Sequence, residues 1–277
     1  MTQLRKATRT KAKIRLGLSA VSGGGKTYSA LLIAYGMVGD WNKIAIIDSE
    51  NGSADLYSHL GDYNVLPIVA PFAPEKYVQA IKDCEGAGME CIIIDSITHE
   101  WDGKGGILDI SNSMTGNSYT NWAKITPRHN AFIDAILQST CHIITTVRRK
   151  QDYEITDVNG KKVPQKVGLK EVTREGFEYE LTCNLEIDAN HMAIASKDRT
   201  GIFDKNIPFV PSIETGIAIK NWCELGIDVP KLTIAQRLEN CQTLGDMVLL
   251  FQSITDAEKE SHKDLFTNKK AQLNGQQ

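Results

Sequence analysis

The sequence lacks the features that would assign it to a disulfide-rich, zinc-binding or membrane class. Its 277 residues include six cysteines, but no two of them form a C-x-x-C pair, which argues against a disulfide framework or a zinc site. No apolar run is long enough to cross a membrane, and none follows the basic N-terminus as in a signal peptide. We therefore expect a soluble, intracellular protein with reduced, buried thiols and no membrane partner.

An excess of one charge is also lacking. The chain has 31 lysine and arginine residues against 34 aspartate and glutamate residues, for a formal net charge of −3. This balance excludes a polycation, so any binding of nucleic acid requires a local basic patch. No helix-turn-helix or zinc-finger motif is present, and such binding would therefore be largely independent of base sequence.

Short apolar runs alternate with segments of helical spacing, the pattern of a mostly parallel sheet flanked by helices. The predicted strands are residues 14–18, 44–47, 65–69, 91–94, 142–147, 185–187 and 192–195. The predicted helices are residues 27–37, 74–84 and 127–137. The last of these has Thr126 as its expected N-cap and Pro127 at its first position. The fold class is therefore α/β.

Three regions follow from this pattern: a basic N-terminal arm at 1–13, an α/β core at 14–230 and a small C-terminal helical appendage at 231–277. The appendage begins where the apolar runs stop, and its Thr255-Asp256-Ala257-Glu258 is a capping box that opens a helix. Two polar stretches, 101–120 and 148–176, follow strands of the core and are predicted to be long functional loops.

The stretch AVSGGGKT at 20–27 lies between a predicted strand and a predicted helix, which is the setting of a P-loop. Glycines there let backbone N–H groups converge on phosphate oxygens, and the helix dipole adds to the attraction. Lys26 is expected to reach the β- and γ-phosphates of ATP, and Thr27 to bind Mg²⁺. The first glycine of the usual motif is replaced by Ala20. The predicted nucleotide-binding residues here are Ser22, Gly23, Gly24, Gly25, Lys26, Thr27 and Tyr28.

Two further strands end in acids. Asp95 ends the run at 91–94, and it is predicted to hold Mg²⁺ beside Thr27. Glu50 follows the strand at 44–47 and is the candidate for orienting or deprotonating the attacking water. From the local sequence alone, Asp48 and Glu50 could instead be solvated turn residues.

The order of these motifs resembles that of the RecA-like P-loop ATPases over residues 12–220, and most of all the phage-encoded, Sak-type ATPases of recombination modules. The resemblance implies that Glu50 is the catalytic glutamate and that Thr146 or Arg148 senses the γ-phosphate. It also implies that Lys197 and Arg199 reach the ATP of a neighbouring subunit, so that the active sites lie between subunits of a homo-oligomeric ring or filament.

In RecA-like proteins the loops that correspond to 101–120 and 148–176 face DNA. The resemblance therefore implies that cations of the second loop follow DNA phosphates, and that Tyr153, Trp101 or Tyr119 stacks on bases. The candidate DNA-binding residues are Arg149, Lys150, Lys161, Lys162 and Lys166.

The resulting hypothesis is a Mg²⁺-dependent ATPase that binds single-stranded DNA and promotes strand annealing or exchange in phage homologous recombination. A single-strand-binding protein or an exonuclease is the expected protein partner, and the bacterial cytoplasm the expected location. Two alternatives stay open. One is a P-loop kinase that uses 148–176 as an arginine-bearing lid, and the other is a nucleotide-gated clamp or loader that acts on a protein.

Overall fold

The structure is a computed structural model in which residues 6–158, 161–227 and 233–274 are described, without the side chains of 153–167. The chain divides into two compact units, one of residues 11–225 and one that joins the N-terminal ten residues to 226–277. Thr10 forms a parallel bridge with Ile227, and the Ile227 N–H donates to the Arg9 carbonyl at 3.1 Å. These contacts group the N-terminal segment with the C-terminal helices, whereas the sequence had suggested a separate arm.

The larger unit is built on a mostly parallel sheet, which contains eight strands within the described residues, in the order β3-β2-β4-β5-β1-β7-β8 with β6 paired to β5. Among the strand pairs of the described residues, β5–β6 and β7–β8 are antiparallel and the others are parallel. The strands are β1 Arg15–Ala20, β2 Ile44–Asp48, β3 Asn64–Pro67, β4 Cys91–Asp95, β5 His142–Val158, β6 Lys161–Glu171, β7 Cys183–Ile187 and β8 Ala193–Asp198. The predicted α/β fold class is confirmed.

Helices cover the sheet on both faces. In the larger unit they are α1 Lys26–Val38, α2 Pro74–Gly86, α3 Thr98–Asp102, α4 Ile107–Ser113, α5 Ser118–Gln138, α6 Phe177–Glu180 and α7 Ile213–Glu224. Short 3₁₀ helices span Trp41–Lys43 and Ser53–Leu60. Among the described residues, no helix combines the length and apolar character that a bilayer crossing needs.

The core has two layers, one on each face of the sheet. Leu16 and Leu18 of β1 pack with α1 on one face, while Ile92 and Ile94 of β4 pack with α2 and α5 on the other. All residues of β1, β2 and β4 are buried. Strands covered on both faces have continuous apolar runs instead of alternating patterns, which is why the sequence located them well. All six cysteines lie in the described part of the chain, where they are buried and form no disulfide.

One predicted helix start is wrong. Helix α5 begins at Ser118, with Asn117 as the N-cap that accepts from the Tyr119 N–H, and Pro127 lies inside the helix. Pro127 removes a helical hydrogen bond there. Buried residues before it, such as Ile125, pack against the core, and this tertiary packing overrides the local signal.

The two predicted loops are also wrong. Residues 101–120 contain the end of α3, all of α4 and the start of α5. Residues 148–176 are mainly an antiparallel hairpin of β5 and β6 that pairs Arg149 with Glu171 and Val158 with Lys161. Asn159-Gly160 is a hairpin signal in the sequence; residues 159 and 160 lie outside the described part of the structure.

Helices α1 and α7 approach closely through two glycines. A Cβ added to Gly216 would lie 2.2 Å from the Ile33 carbonyl oxygen, and one added to Gly36 would lie 2.1 Å from that of Ile213. These are backbone atoms, so the contact cannot be relieved by a change of rotamer. The two helix backbones touch at this point.

We expect Gly216→Ala to lower the free energy of unfolding by about 1–3 kcal/mol, because the added methyl overpacks the helix contact. The matched control is Gly86→Ala, also at a helical glycine, where an added Cβ meets no atom within 4 Å. That change should be neutral or stabilising by roughly 0.5 kcal/mol. Both stability changes are measured as shifts of the denaturant midpoint from that of the unmodified protein, with the m-value unchanged. Equal midpoints for the two variants would contradict the close packing.

The smaller unit contains α8 Ile234–Glu239, α9 Leu244–Gln252, α10 Asp256–Ser261 and α11 Lys263–Asn274. Leu238, Met247, Leu250 and Phe266 belong to its own apolar cluster. The predicted capping box is confirmed: the Thr255 N–H donates to Glu258 Oε2 at 2.9 Å and the Glu258 N–H donates to Thr255 Oγ1 at 3.4 Å. Thr233 and Thr243 form the same motif at α8 and α9.

Candidate nucleotide-binding and hydrolytic site

The carboxyl ends of four neighbouring parallel strands bring the predicted site residues together. In the pairing register, Ala20 of β1 lies beside Arg148 of β5, and Asp48 of β2 lies beside Asp95 of β4. Ligands of open α/β sheets bind at this edge. The glycine-rich turn, both acidic strand ends and the predicted sensor strand therefore surround one location.

The turn before α1 requires its glycines. Gly23 and Gly25 have φ angles of 76° and 84°, in the left-handed region that side chains disfavour. A Cβ on Gly24 would lie 2.7 Å from the Cβ of Ala20, so this close approach also limits the size of the residue at position 20. Alanine is therefore compatible with the turn in place of the usual first glycine.

The N-terminus of α1 is open to an anion. Gly25 provides no side-chain cap, and the first helical hydrogen bond runs from the Ser29 N–H to the Gly25 carbonyl at 2.9 Å. The N–H groups of Lys26, Thr27 and Tyr28 thus have no acceptor within the helix. Together with the helix dipole they form an anion-binding site suited to phosphate.

Lys26 lies in the centre of this turn. Its side-chain Nζ donates to the carbonyl oxygens of Val21 at 3.1 Å and Ala20 at 3.3 Å, and the residue is only 9% exposed. Burial lowers the pKa of Lys26, while the charges of Asp95 and Glu50 oppose that shift. The turn's own carbonyls therefore hold the lysine at the base of the phosphate site.

Asp95 is buried and bound by two hydroxyls. Thr27 Oγ1 donates to Asp95 Oδ2 at 2.6 Å, and Thr146 Oγ1 donates to Asp95 Oδ1 at 2.6 Å. Burial raises the pKa of Asp95, and the two hydroxyl hydrogen bonds oppose the rise. A carboxylate and a hydroxyl at this distance are the hard oxygen ligands that Mg²⁺ prefers. Thr27 and Asp95 therefore fit the predicted metal role, and Thr146 supports Asp95.

Glu50 is held by three hydrogen bonds from two residues. Arg148 Nε donates to Glu50 Oε1 at 2.9 Å and its Nη2 donates to Oε2, while Ser96 Oγ donates to Oε1 at 2.8 Å. Burial by itself would raise the pKa of Glu50, but the Arg148 and Ser96 hydrogen bonds outweigh it, so the pKa lies below its usual value. Glu50 is therefore a fixed carboxylate, and its Oε2, which accepts from Arg148 Nη2, keeps an acceptor position for a water.

Neighbouring residues hold these acidic side chains and their backbone in place. Ser49 Oγ donates to the Ser96 carbonyl at 3.1 Å and lies 2.9 Å from His99 Nδ1, and Asp48 Oδ1 accepts from the Glu50 N–H at 2.6 Å. The His99 ring stacks on Phe72 with centroids 4.9 Å apart. No motif in the sequence predicts a role at this site for Ser49, Ser96 or His99. Their only signal was their position next to the acidic strand ends.

A cavity of about 570 Å³ adjoins the phosphate turn and is lined by Tyr28, Tyr57, His191 and Pro211 among others. The rings of Tyr28 and Tyr57 are 5.8 Å apart. A Cβ on Gly25 would lie 2.9 Å from His191 Nδ1, so the histidine lies against the turn. The size and aromatic lining suit a small organic ligand. His191 and Pro211 were not predicted, because they are far from the turn in sequence.

The family model described as AAA domain, AAA_24, matches residues 12–208, which cover the strands, the phosphate turn and both acidic strand ends described above. The chain belongs to the AAA domain family. No curated protein matches the chain. Membership places the protein among the P-loop nucleotide-binding ATPases.

Two predicted residues of this AAA domain protein lie away from its own phosphate site. In the sheet, Lys197 of β8 lies opposite Asn184 of β7, and Asn184 lies opposite Gly17 of β1. Gly17 precedes Ala20 by three residues, which is about 10 Å along β1. Lys197 Nζ donates to the Glu178 carbonyl at 3.0 Å, and Arg199 donates to the Tyr179 carbonyl at 3.3 Å. Within one chain these cations bind α6, so the predicted contact with ATP needs a neighbouring subunit.

The candidate DNA-binding residues of the AAA domain differ in exposure. Arg149 is paired with Glu186 at 2.7 Å and its side chain is 16% exposed, whereas Lys150 is exposed. Lys161, Lys162 and Lys166 belong to β6, but their side chains lie outside the described residues, as does that of Tyr153.

The other two residues predicted to stack on bases, Tyr119 and Trp101, also differ in exposure. Tyr119 is 84% exposed, but Trp101 packs against Trp122 and His129, with centroid distances of 6.0 and 5.5 Å. Trp101 is thus already in contact with two rings, and Tyr119 is the more accessible of the two.

Proposed function

We propose that this AAA domain protein is a Mg²⁺-dependent ATPase whose turnover is stimulated by single-stranded DNA, and that it serves strand annealing or exchange in recombination. One observation supports the ATPase part most: Thr27, Asp95 and Thr146 form a continuous hydrogen-bonded unit beside Lys26. Such a unit combines the phosphate cradle and the metal ligands at one sheet edge.

Each of the site residues has a role in the proposed hydrolysis of ATP. The α1 N–H groups and Lys26 bind and orient the phosphates, so that the γ-phosphate faces Glu50. Glu50 orients a water and accepts its proton as the oxygen–phosphorus bond forms and the β–γ bridging bond breaks. Mg²⁺ bound to Thr27 and Asp95 would offset negative charge on the phosphate oxygens. Arg148 is placed to exchange its contact with Glu50 for one with the γ-phosphate.

The β5–β6 hairpin supports the DNA part of the proposal. Arg148 contacts Glu50, and β5 runs without a break from this residue through Arg149 and Lys150 into the hairpin. A ligand that binds the hairpin therefore acts on the strand that positions Arg148 and, through it, Glu50. Lysines along such a hairpin suit DNA phosphates without reading base sequence.

We expect ATP turnover to rise about tenfold when single-stranded DNA is added, which corresponds to roughly 1.4 kcal/mol in the barrier. Phosphate release is measured against oligonucleotide concentration at several salt concentrations. Lys150→Glu should reduce the stimulation and leave the DNA-free rate unchanged. The matched control is Lys82→Glu, an exposed lysine of α2. A rate that does not respond to DNA at any salt concentration would contradict the DNA part but not the ATPase part.

The alternatives predict different results in the same assay. A clamp or loader would respond to a protein partner instead of DNA, and a kinase would form a phosphorylated product instead of free phosphate. The kinase alternative used 148–176 as an arginine-bearing lid, but these residues are mainly a paired β5–β6 hairpin, and Arg149 is bound to Glu186 at 2.7 Å. We therefore do not adopt it.

A further inference from the structure

The smaller unit has an apolar groove between two of its helices, here called the α9–α11 groove. It has a volume of about 320 Å³ and is lined by Met247, Val248, Phe251, Phe266, Lys263 and Lys270 among others. Positions 247, 248 and 251 form one side of α9, and positions 263, 266 and 270 recur on one face of α11.

The floor of the groove leaves apolar surface in contact with water. Val248 is 48% exposed and Phe251 is 42% exposed, although Met247 and Phe266 beneath them are buried. Covering such a patch is favourable because it removes apolar area from water. The volume lies at the small end of ligand cavities, about 300–1,000 Å³, so the groove suits a few apolar side chains and not a whole domain surface.

The charged side chains that line the groove itself are cationic. Lys263 and Lys270 line it, and no carboxylate is among its described lining residues. Lys259 adds a third cation, with its Nζ 5.4 Å from the centre of the Phe251 ring. Lys263 and Lys259 contact Glu260 and Asp256 at 3.4 and 2.7 Å. Such exposed pairs contribute little, and an incoming carboxylate can replace them.

We propose that the α9–α11 groove binds a short acidic peptide segment of a partner protein that carries large apolar side chains. The apolar side chains enter between Val248, Phe251 and Phe266, and the carboxylates of the segment meet Lys263 and Lys270. This is recognition of a peptide in a helix-lined groove, with affinity from the apolar contacts and orientation from the charges. The site is independent of the phosphate turn and of the proposed ATPase.

Two other occupants fit less well. A second copy placed on the same groove by two-fold symmetry would bring Lys263 and Lys270 against their own equivalents, and like charges repel. A DNA backbone would match the lysines, but its hydrated phosphates would leave the apolar floor between α9 and α11 uncovered.

Fluorescence anisotropy of the full-length protein tests the proposal with three labelled peptides. The probe is Asp-Asp-Glu-Asp-Leu-Phe-Leu. One control replaces the acids with their amides, and the other replaces the apolar residues with serine. We expect saturable binding of the probe alone, weakened at least about tenfold in either control. Absence of saturable binding up to about 1 mM, or equal binding of a control peptide, would overturn the proposal.

Variants locate the site. Lys263→Glu with Lys270→Glu, and separately Val248→Gln, should each weaken binding of the probe about tenfold. The matched controls are Lys269→Glu, next to Lys270 on α11, and Leu249→Gln, next to Val248 and 67% exposed. Equal effects of the test and control variants would overturn the assignment. So would an oligonucleotide that displaces the probe, or sedimentation showing that Val248→Gln abolishes a dimer.

Discussion

Replacing Lys26 with alanine is expected to reduce steady-state ATP turnover at least about a hundredfold. The side chain is the cation at the centre of the phosphate turn, and removing one preorganised charge contact from such a site typically costs 10²–10³ in rate. Phosphate release under saturating Mg·ATP measures the rate. Calorimetry measures Mg·ATP binding, which should also weaken because in the proposed function Lys26 binds the phosphates before the reaction.

Lys26 also supports the turn, since its Nζ donates to the Ala20 and Val21 carbonyls. A structural loss must therefore be distinguished from a catalytic one. Lys26→Arg keeps a charged donor, and an unchanged denaturation midpoint in either variant shows that the fold is intact. Lys82→Ala, at an exposed lysine of α2, is the matched control and should keep the normal rate. A folded Lys26→Ala protein with turnover within about threefold of normal would contradict the P-loop assignment.

Glu50→Gln is expected to lower kcat about 10²–10⁴-fold while changing the affinity for Mg·ATP by less than about threefold. The amide has the shape of the carboxylate and can still accept from Ser96, but it cannot take a proton from water. Single-turnover phosphate release and equilibrium nucleotide binding separate the two quantities. A loss of binding together with the rate would instead indicate that Glu50 holds the nucleotide.

The chain contains a close control for this change. Glu75 also accepts two hydrogen bonds from one arginine, Arg128, at 2.6 and 2.9 Å, but it lies on α2 with 58% of its side chain exposed. Glu75→Gln should therefore leave turnover unchanged. If Glu50→Gln hydrolyses ATP at the normal rate, the water-activating role belongs to another group and the contact between Glu50 and Arg148 is structural.

The sequence by itself located the central strands and the phosphate turn. Buried parallel strands need apolar side chains on both faces, so β2 and β4 are visible as runs at 44–47 and 91–94. The turn is visible because Gly23 and Gly25 must adopt positive φ angles, which few other residues tolerate. Requirements that act on one residue or on a short run can therefore be read from the amino acids of that segment alone.

The long stretches after the strands are not the loops that their composition predicts. The segment 101–120 is rich in glycine, serine and asparagine, yet its helices form because Ile107 and Asn121 are buried in the fold. The hairpin at β5 and β6 is polar along most of its length, so its pairing is not visible as an apolar pattern. Propensity is a weak predictor where contacts with distant residues decide the structure.

What the sequence determined, then, is the set of groups available for phosphate chemistry: the glycine turn, Lys26, Thr27 and the acids that end two strands. Only the tertiary structure decided how they meet, because parallel pairing places β4 between β2 and β5 and so brings Asp95 within 2.6 Å of both Thr27 and Thr146. It also placed Arg148 on Glu50, a contact across 98 residues. Residues so far apart along the chain become neighbours through strand order, which no local pattern encodes.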